Sequence, residues 1–152
     1  MKRNVLLFFI AALFLVSCGL KGPPLPPEVV VPDRVADLKV KLTDGGVALT
    51  WTMPVVNTDG TDLTDLVGFK VLRKDVPDKD VDCPPCTGKF EEIADFTLSV
   101  PGKAVIANGT VLFSDTSLSP SITYTYVVVS YNSAGSFSKT SNPVDVSLSR
   151  VK

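Results

Sequence analysis

The chain has no histidine among its 152 residues, a single tryptophan and only three cysteines. Without an imidazole, Ser-His-Asp and Cys-His catalytic sets and histidine-ligated zinc centres are excluded. Neither charge is in excess: fifteen basic against sixteen acidic residues leave a net charge of −1, so the electrostatic footprint of a nucleic-acid binder is missing. No apolar run reaches the roughly 20 residues that a membrane-spanning helix needs. The longest, Val5 to Val16, stops well short. No glycine-rich phosphate loop follows a strand and opens a helix, so nucleotide binding has no support. What remains is a length that suits one domain with its own core. The odd cysteine count means that two can pair and the third needs a separate role.

Lys2 and Arg3 precede the apolar run, and Ser17, Cys18 and Gly19 follow it. A charged start, a short apolar stretch and small residues after it predict a secretory signal peptide over residues 1–17. Leu15-Val16-Ser17-Cys18 resembles the bacterial lipobox. That resemblance implies a diacylglycerol held as a thioether on Cys18, because a thiol is the nucleophile able to take it. Two or three acyl chains at roughly 0.8 kcal/mol per buried methylene make a durable membrane anchor. The position after the cysteine is Gly19, not aspartate. By resemblance to the lipoprotein sorting rule this implies the outer membrane, facing the periplasm. No other cofactor and no metal is expected.

Cys18-Gly19-Leu20-Lys21-Gly22-Pro23 is similar to the mature N-terminus of the small outer-membrane lipoproteins of the LptM type. Those proteins associate with the machinery that inserts lipopolysaccharide into the outer membrane, which implies that Gly19, Leu20, Lys21, Gly22 and Pro23 form a candidate docking peptide. The similarity stops there, and a generic lipoprotein tether is the competing and favoured reading. Pro23, Pro24, Pro26, Pro27 and Pro32 then crowd a short segment. Such a stretch lacks backbone donors and prefers an extended polyproline path, about 3.1 Å per residue, so it reaches roughly 30 Å. Residues 18–33 are accordingly read as a lipidated tether and residues 34–152 as the domain.

From Arg34 onward the apolar pattern has a period of two and shows no helical stripe. Val35, Leu38, Val40 and Leu42 predict a first strand, and Thr43-Asp44-Gly45-Gly46 a hairpin turn with positive φ at Asp-Gly. Val47, Leu49 and Trp51 form the buried face of a second strand, which Pro54 ends. Further strands are predicted over residues 68–73, 90–96, around 111–113, 122–131 and 144–148. About seven short antiparallel strands separated by turn residues predict an all-β, immunoglobulin-like sandwich.

Val47-Ala48-Leu49-Thr50-Trp51 resembles strand B of a fibronectin type III domain, and Leu118 to Val128 resembles its E–F corner and strand F. The resemblance implies that Tyr124 is the corner tyrosine, its hydroxyl returning to the backbone near Leu118. It implies that Trp51 fills the core, with Tyr126 on the same face as Tyr124. The pattern departs at Asp75 to Lys89, a longer insertion than the family carries. Domains of this kind mostly bind, space or present, and a fold alone does not fix a function.

Cys83-Pro84-Pro85-Cys86 is the one motif able to carry redox or metal chemistry. Its spacing occurs in thiol-disulfide oxidoreductases and in half of many zinc sites. Asp78, Asp80 and Asp82 lie beside it and would raise the thiol pKa, and no second ligand pair exists. A local Cys83–Cys86 disulfide is the favoured reading, with a redox-active pair and a metal site as alternatives. Asn57, Asp59, Asp62 and Asp65 with Gly60 suggest a calcium loop, but residue 68 is glycine where an EF-hand needs glutamate, so a solvated turn is expected. Glu91 and Glu92 are neighbours on a predicted strand and face opposite ways, which is no acid–base pair. The sequence therefore predicts a non-enzymatic envelope lipoprotein that presents a sandwich domain to another protein. The alternatives are a carbohydrate- or surface-binding accessory domain and a CxxC thiol-disulfide oxidoreductase.

Overall fold

In the computed structural model, which describes residues 29–77, 79 and 88–148, the period-two pattern becomes strands in two antiparallel sheets. They are β1 (Lys39–Thr43), β2 (Gly46–Thr52), β3 (Leu66–Pro77), β4 (Glu91–Thr97), β5 (Ala104–Ala107), β6 (Thr110–Asp115), β7 (Ile122–Asn132) and β8 (Val144–Ser147). One sheet has the order β1-β2-β6-β5 and the other β4-β3-β7-β8. Alternation decides which residues meet between them. Val47, Leu49 and Trp51 of β2 and Val111 and Phe113 of β6 face Phe69 and Val71 of β3 and Tyr124, Tyr126 and Val128 of β7.

The tryptophan and the buried phenylalanine rings concentrate in one half of this interior. Trp51 meets Phe69 edge-on at 5.5 Å between centroids, and Phe96 stacks on Phe113 at 6.2 Å. Such pairs contribute about 0.5–1.5 kcal/mol each beyond the area they bury. One flank of the sandwich is sealed between β1 and the segment before β8. The Asn142 side chain accepts a hydrogen bond from Leu38 N–H at 3.0 Å and donates to Leu38 O at 2.9 Å. That pairing explains why Val35 and Leu38 are buried yet precede the regular strand, since the Leu38 backbone bonds a side chain instead of a ladder.

Other differences from the sequence pattern are equally local. An additional strand, β5, joins β6 through the two-residue turn Asn108–Gly109. Both turn residues have positive φ, 50° and 75°, the type I′ geometry that Asn-Gly favours. β3 runs on to Pro77 because long β7 supplies a partner for each residue from Gly68 onward, ending with Pro77 opposite Ile122. In the β1–β2 turn the unusual φ belongs to Gly46, at 152°, not to Asp44 or Gly45. A Cβ on Gly46 would collide with the Asp115 carbonyl, so only glycine fits. The chain is tied to the sandwich from Val31 onward. Val31 O accepts from Thr58 N–H at 3.0 Å, and Asp33 N–H donates to Val56 O at 3.0 Å.

Candidate functional site

Cys18, Gly19, Leu20, Lys21, Gly22, Pro23, Cys83 and Cys86 lie outside the described residues. The chemistry that can be located is a charged cluster inside the sandwich, at the end formed by the β1–β2 turn and the β6–β7 connection. Alternation builds it. On β3 the inward positions after Phe69 and Val71 bring in Arg73, and on β6 the inward positions after Val111 and Phe113 bring in Asp115. A half-buried cation and a buried anion are thereby placed on facing sheets and must meet.

They do so with every major group engaged. Arg73 Nη1 donates to Asp115 Oδ2 at 2.7 Å and to Ser117 O at 3.1 Å. Its Nε and Nη2 donate to the two Asp75 oxygens at 2.7 and 2.9 Å. The guanidinium also lies 4.9 Å from the centre of the Tyr124 ring. Asp115 accepts in addition from Tyr126 Oη at 2.9 Å and from Ser117 N–H at 2.9 Å. Burial alone would raise the Asp115 carboxyl, but the Ser117 N–H, the Arg73 guanidinium and the Tyr126 hydroxyl outweigh it and hold the group below its ordinary value. Burial, with Asp115 as hydrogen-bond partner, pushes the Tyr126 phenol far above its ordinary range.

Tyr124 anchors the neighbouring corner. Its hydroxyl accepts from Ser119 N–H at 2.6 Å and faces Ser119 O at 3.3 Å, so the β6–β7 connection is pinned by the strand it feeds. Beside this cluster, on the flank opposite Asn142, a cleft of about 390 Å³ opens between the sheets. Arg73, Ile93, Phe96, Pro101, Lys103 and Asp115 contribute to its lining.

The remaining sequence candidates are dispersed. Asp59 caps its own turn by accepting from Thr61 N–H and Oγ1, whereas Asp65 bonds Ser133 Oγ at 3.2 Å. Among the described residues no set of histidine, cysteine or acidic side chains converges as metal ligands. Glu92 is directed by a β-bulge on β4, where Ile93 has no partner in the register between Glu92 and Ala94. The bulge brings Glu92 and Asp95 to one face, and both bind Lys70, at 2.7 and 3.2 Å. On that outer face Tyr131 and Phe137 lie 5.7 Å apart but tilted by 54°, which is no flat platform for a sugar ring.

Arg73 and Asp115 were not singled out from sequence, although a signal was there. A charge at the inward parity of an alternating strand has to find a partner, and two such strands predict a pair.

The architecture matches solved structures. The fold is that of a fibronectin type III domain. The third fibronectin III domain of the human KIAA0343 protein superposes with a TM-score of 0.51 at 12% identity, covering 88% of this chain and 96% of that one. The twitchin kinase region from C. elegans matches with a TM-score of 0.51 at 16% identity. There the match covers 80% of this chain but only 18% of the other. No protein-family profile matches the chain, and no curated protein does. What these likenesses carry over is the fibronectin-type architecture alone.

Proposed function

We propose that the protein is a non-enzymatic lipoprotein of the bacterial cell envelope that presents its fibronectin-type sandwich to another protein. In this reading Cys18 carries the lipid after residues 1–17 are removed. The anchor sits in the outer membrane on its periplasmic side. Residues 18–30 form the tether, since the chain is bonded to the sandwich from Val31 onward. Gly19 to Pro23 are a candidate docking segment at an outer-membrane assembly such as the lipopolysaccharide translocon, with a plain tether as the competing reading. Cys83 and Cys86 pair as a structural disulfide, and no cofactor beyond the lipid is needed.

The observation that carries this proposal is where the chain enters the fold. Val31 and Asp33 are bonded to the β2–β3 loop at Thr58 and Val56. The strand order puts that loop at one end of the sandwich and the β6–β7 corner at the other. An anchor on the N-terminal side therefore holds the first end toward the membrane and leaves the second free for contact. A binding role also suits the charged cluster, whose groups are spent on one another and hold the fold.

The test is membrane fractionation with crosslinking. The full chain is expected in the outer-membrane fraction, and Cys18→Ala is expected to abolish lipid incorporation. Crosslinked membranes should yield an envelope protein whose recovery depends on Gly19 to Pro23. Recovery of no translocon component with the tether intact rejects that docking partner, and unchanged membrane attachment of Cys18→Ala rejects the lipid anchor.

A further inference from the structure

Among the described residues each sheet has two edges, and three of the four are guarded. β1 carries Lys39 and Lys41, and its approach is sealed by Asn142. β4 carries Glu91, Glu92 and Asp95 and is broken by its bulge. β8 carries Asp145. Charges and bulges of this kind keep an edge from pairing with another chain. β5 has neither: its residues are Ala-Val-Ile-Ala, with no register shift against β6.

The turn before β6 decides which backbone groups this edge offers. A two-residue hairpin makes the flanking pair Ala107–Thr110 hydrogen-bonded, and pairs then alternate along the ladder. Val105 opposite Leu112 is therefore bonded inward, whereas Ile106 opposite Val111 turns its N–H and C=O outward. Ala104 also faces outward, but its N–H is already used on Pro101 O at 2.8 Å, leaving its carbonyl. Among the described residues Asn108 N–H has no backbone partner. The side chains agree with the backbone. Val105 is 60% exposed and Leu112 38%, and they stand side by side at this edge of the outer face.

We infer that β5 is a self-pairing edge: β5 of a second copy adds antiparallel to it about a twofold axis at Ile106. In that register each Ile106 N–H donates to the Ile106 carbonyl of the second copy. Each Asn108 N–H meets the Ala104 carbonyl of the second copy, so the outward groups are used and the occupied Ala104 N–H is not called on. Val105 falls beside Ala107 of the second copy and extends the apolar row begun by Leu112. Lys103 falls opposite Gly109, so no like charges oppose across the seam. This complementarity selects a second copy of the chain as the occupant. The inference holds for the sandwich whether or not the chain is lipidated, and the shortness of β5 makes the association weak and concentration-dependent.

Sedimentation equilibrium of the full chain in density-matched detergent, with micelles in excess over protein, measures it. A monomer–dimer equilibrium is expected, with hydrogen exchange at the Ile106 amide slowing as concentration rises. Val105→Lys, on an exposed side chain, should weaken the dimer about tenfold, because a twofold interface counts the change twice. Val55→Lys, at a side chain 72% exposed in another loop, should leave it unchanged. A chain that stays monomeric, a dimer indifferent to Val105→Lys, or one weakened equally by Val55→Lys overturns the proposal. So does a different protein's strand that protects Ile106 while the chain itself remains monomeric.

Discussion

The two halves of the sandwich interior are held by different physics. Toward the β2–β3 loop, Trp51, Phe69, Phe96 and Phe113 form an aromatic cluster. Near the β6–β7 corner, Arg73, Asp75 and Asp115 form an ion-pair network roofed by Tyr124 and Tyr126. The aromatic half gains from area removed from water and tolerates many geometries. The charged half gains only when its donors and acceptors meet in one arrangement, because a buried charge without a partner is costly. The first drives collapse of the sheets. The second fixes how β3, β6 and the corner dock.

The largest effect should come from the aromatic half. Trp51→Ala is expected to cost about 4 kcal/mol in urea unfolding followed by circular dichroism, since it removes the largest side chain in the core. That loss should be nearly the same at pH 7 and pH 4, as the substitution removes buried apolar area and no charged partner. Asp115→Ala should cost about 3 kcal/mol at pH 7, because it leaves Arg73 with only Asp75 and the Ser117 carbonyl and strips the Tyr126 hydroxyl and Ser117 N–H of their acceptor.

Asp115 also separates the halves by pH. Its native carboxyl titrates below the ordinary 3.8 because the Ser117, Arg73 and Tyr126 hydrogen bonds outweigh the effect of burial. A depressed native pKa adds stability that is complete above the unfolded value and is lost as pH falls through the native one. The gap between wild type and Asp115→Asn should therefore be constant from pH 7 to about pH 5 and close below about pH 4. A gap that widens on acidification would contradict the network.

Asn142→Ala tests a neutral contact on the sealed flank. It strips partners from Leu38 N–H and O and should cost about 2 kcal/mol, equally at both pH values. Tyr124→Phe should cost least, about 1 kcal/mol, through the lost hydroxyl contacts to Ser119. A loss as large as that of Asp115→Ala would mean that the corner, not the ion pair, organises this half.

The β2 side of the aromatic half was legible in the sequence, because Val47, Leu49 and Trp51 announce their face by alternation and by apolar character, whereas Phe69, Phe96 and Phe113 were placed on strands without a face. The strand β5 was not. Alanine is a poor strand signal, and the Asn108–Gly109 turn that creates the hairpin went unread. The charged half escaped for another reason. Arg73 and Asp115 sit at inward parity, yet a polar residue ordinarily reads as solvent-facing until its partner on the other sheet is known.

The sequence alone determined the all-β class, the place of the β1–β2 hairpin, most strand positions and the apolar inward face of β2, because these follow from period-two alternation and from glycine and proline at turns. Tertiary structure decided the rest: which sheets face each other, that Arg73 reaches Asp115, that the bulge at Ile93 brings Glu92 and Asp95 to Lys70, and that β5 is left as an unguarded edge. Those outcomes depend on contacts between residues far apart in the chain. A local pattern carries no record of such distances, and the folded sheets do.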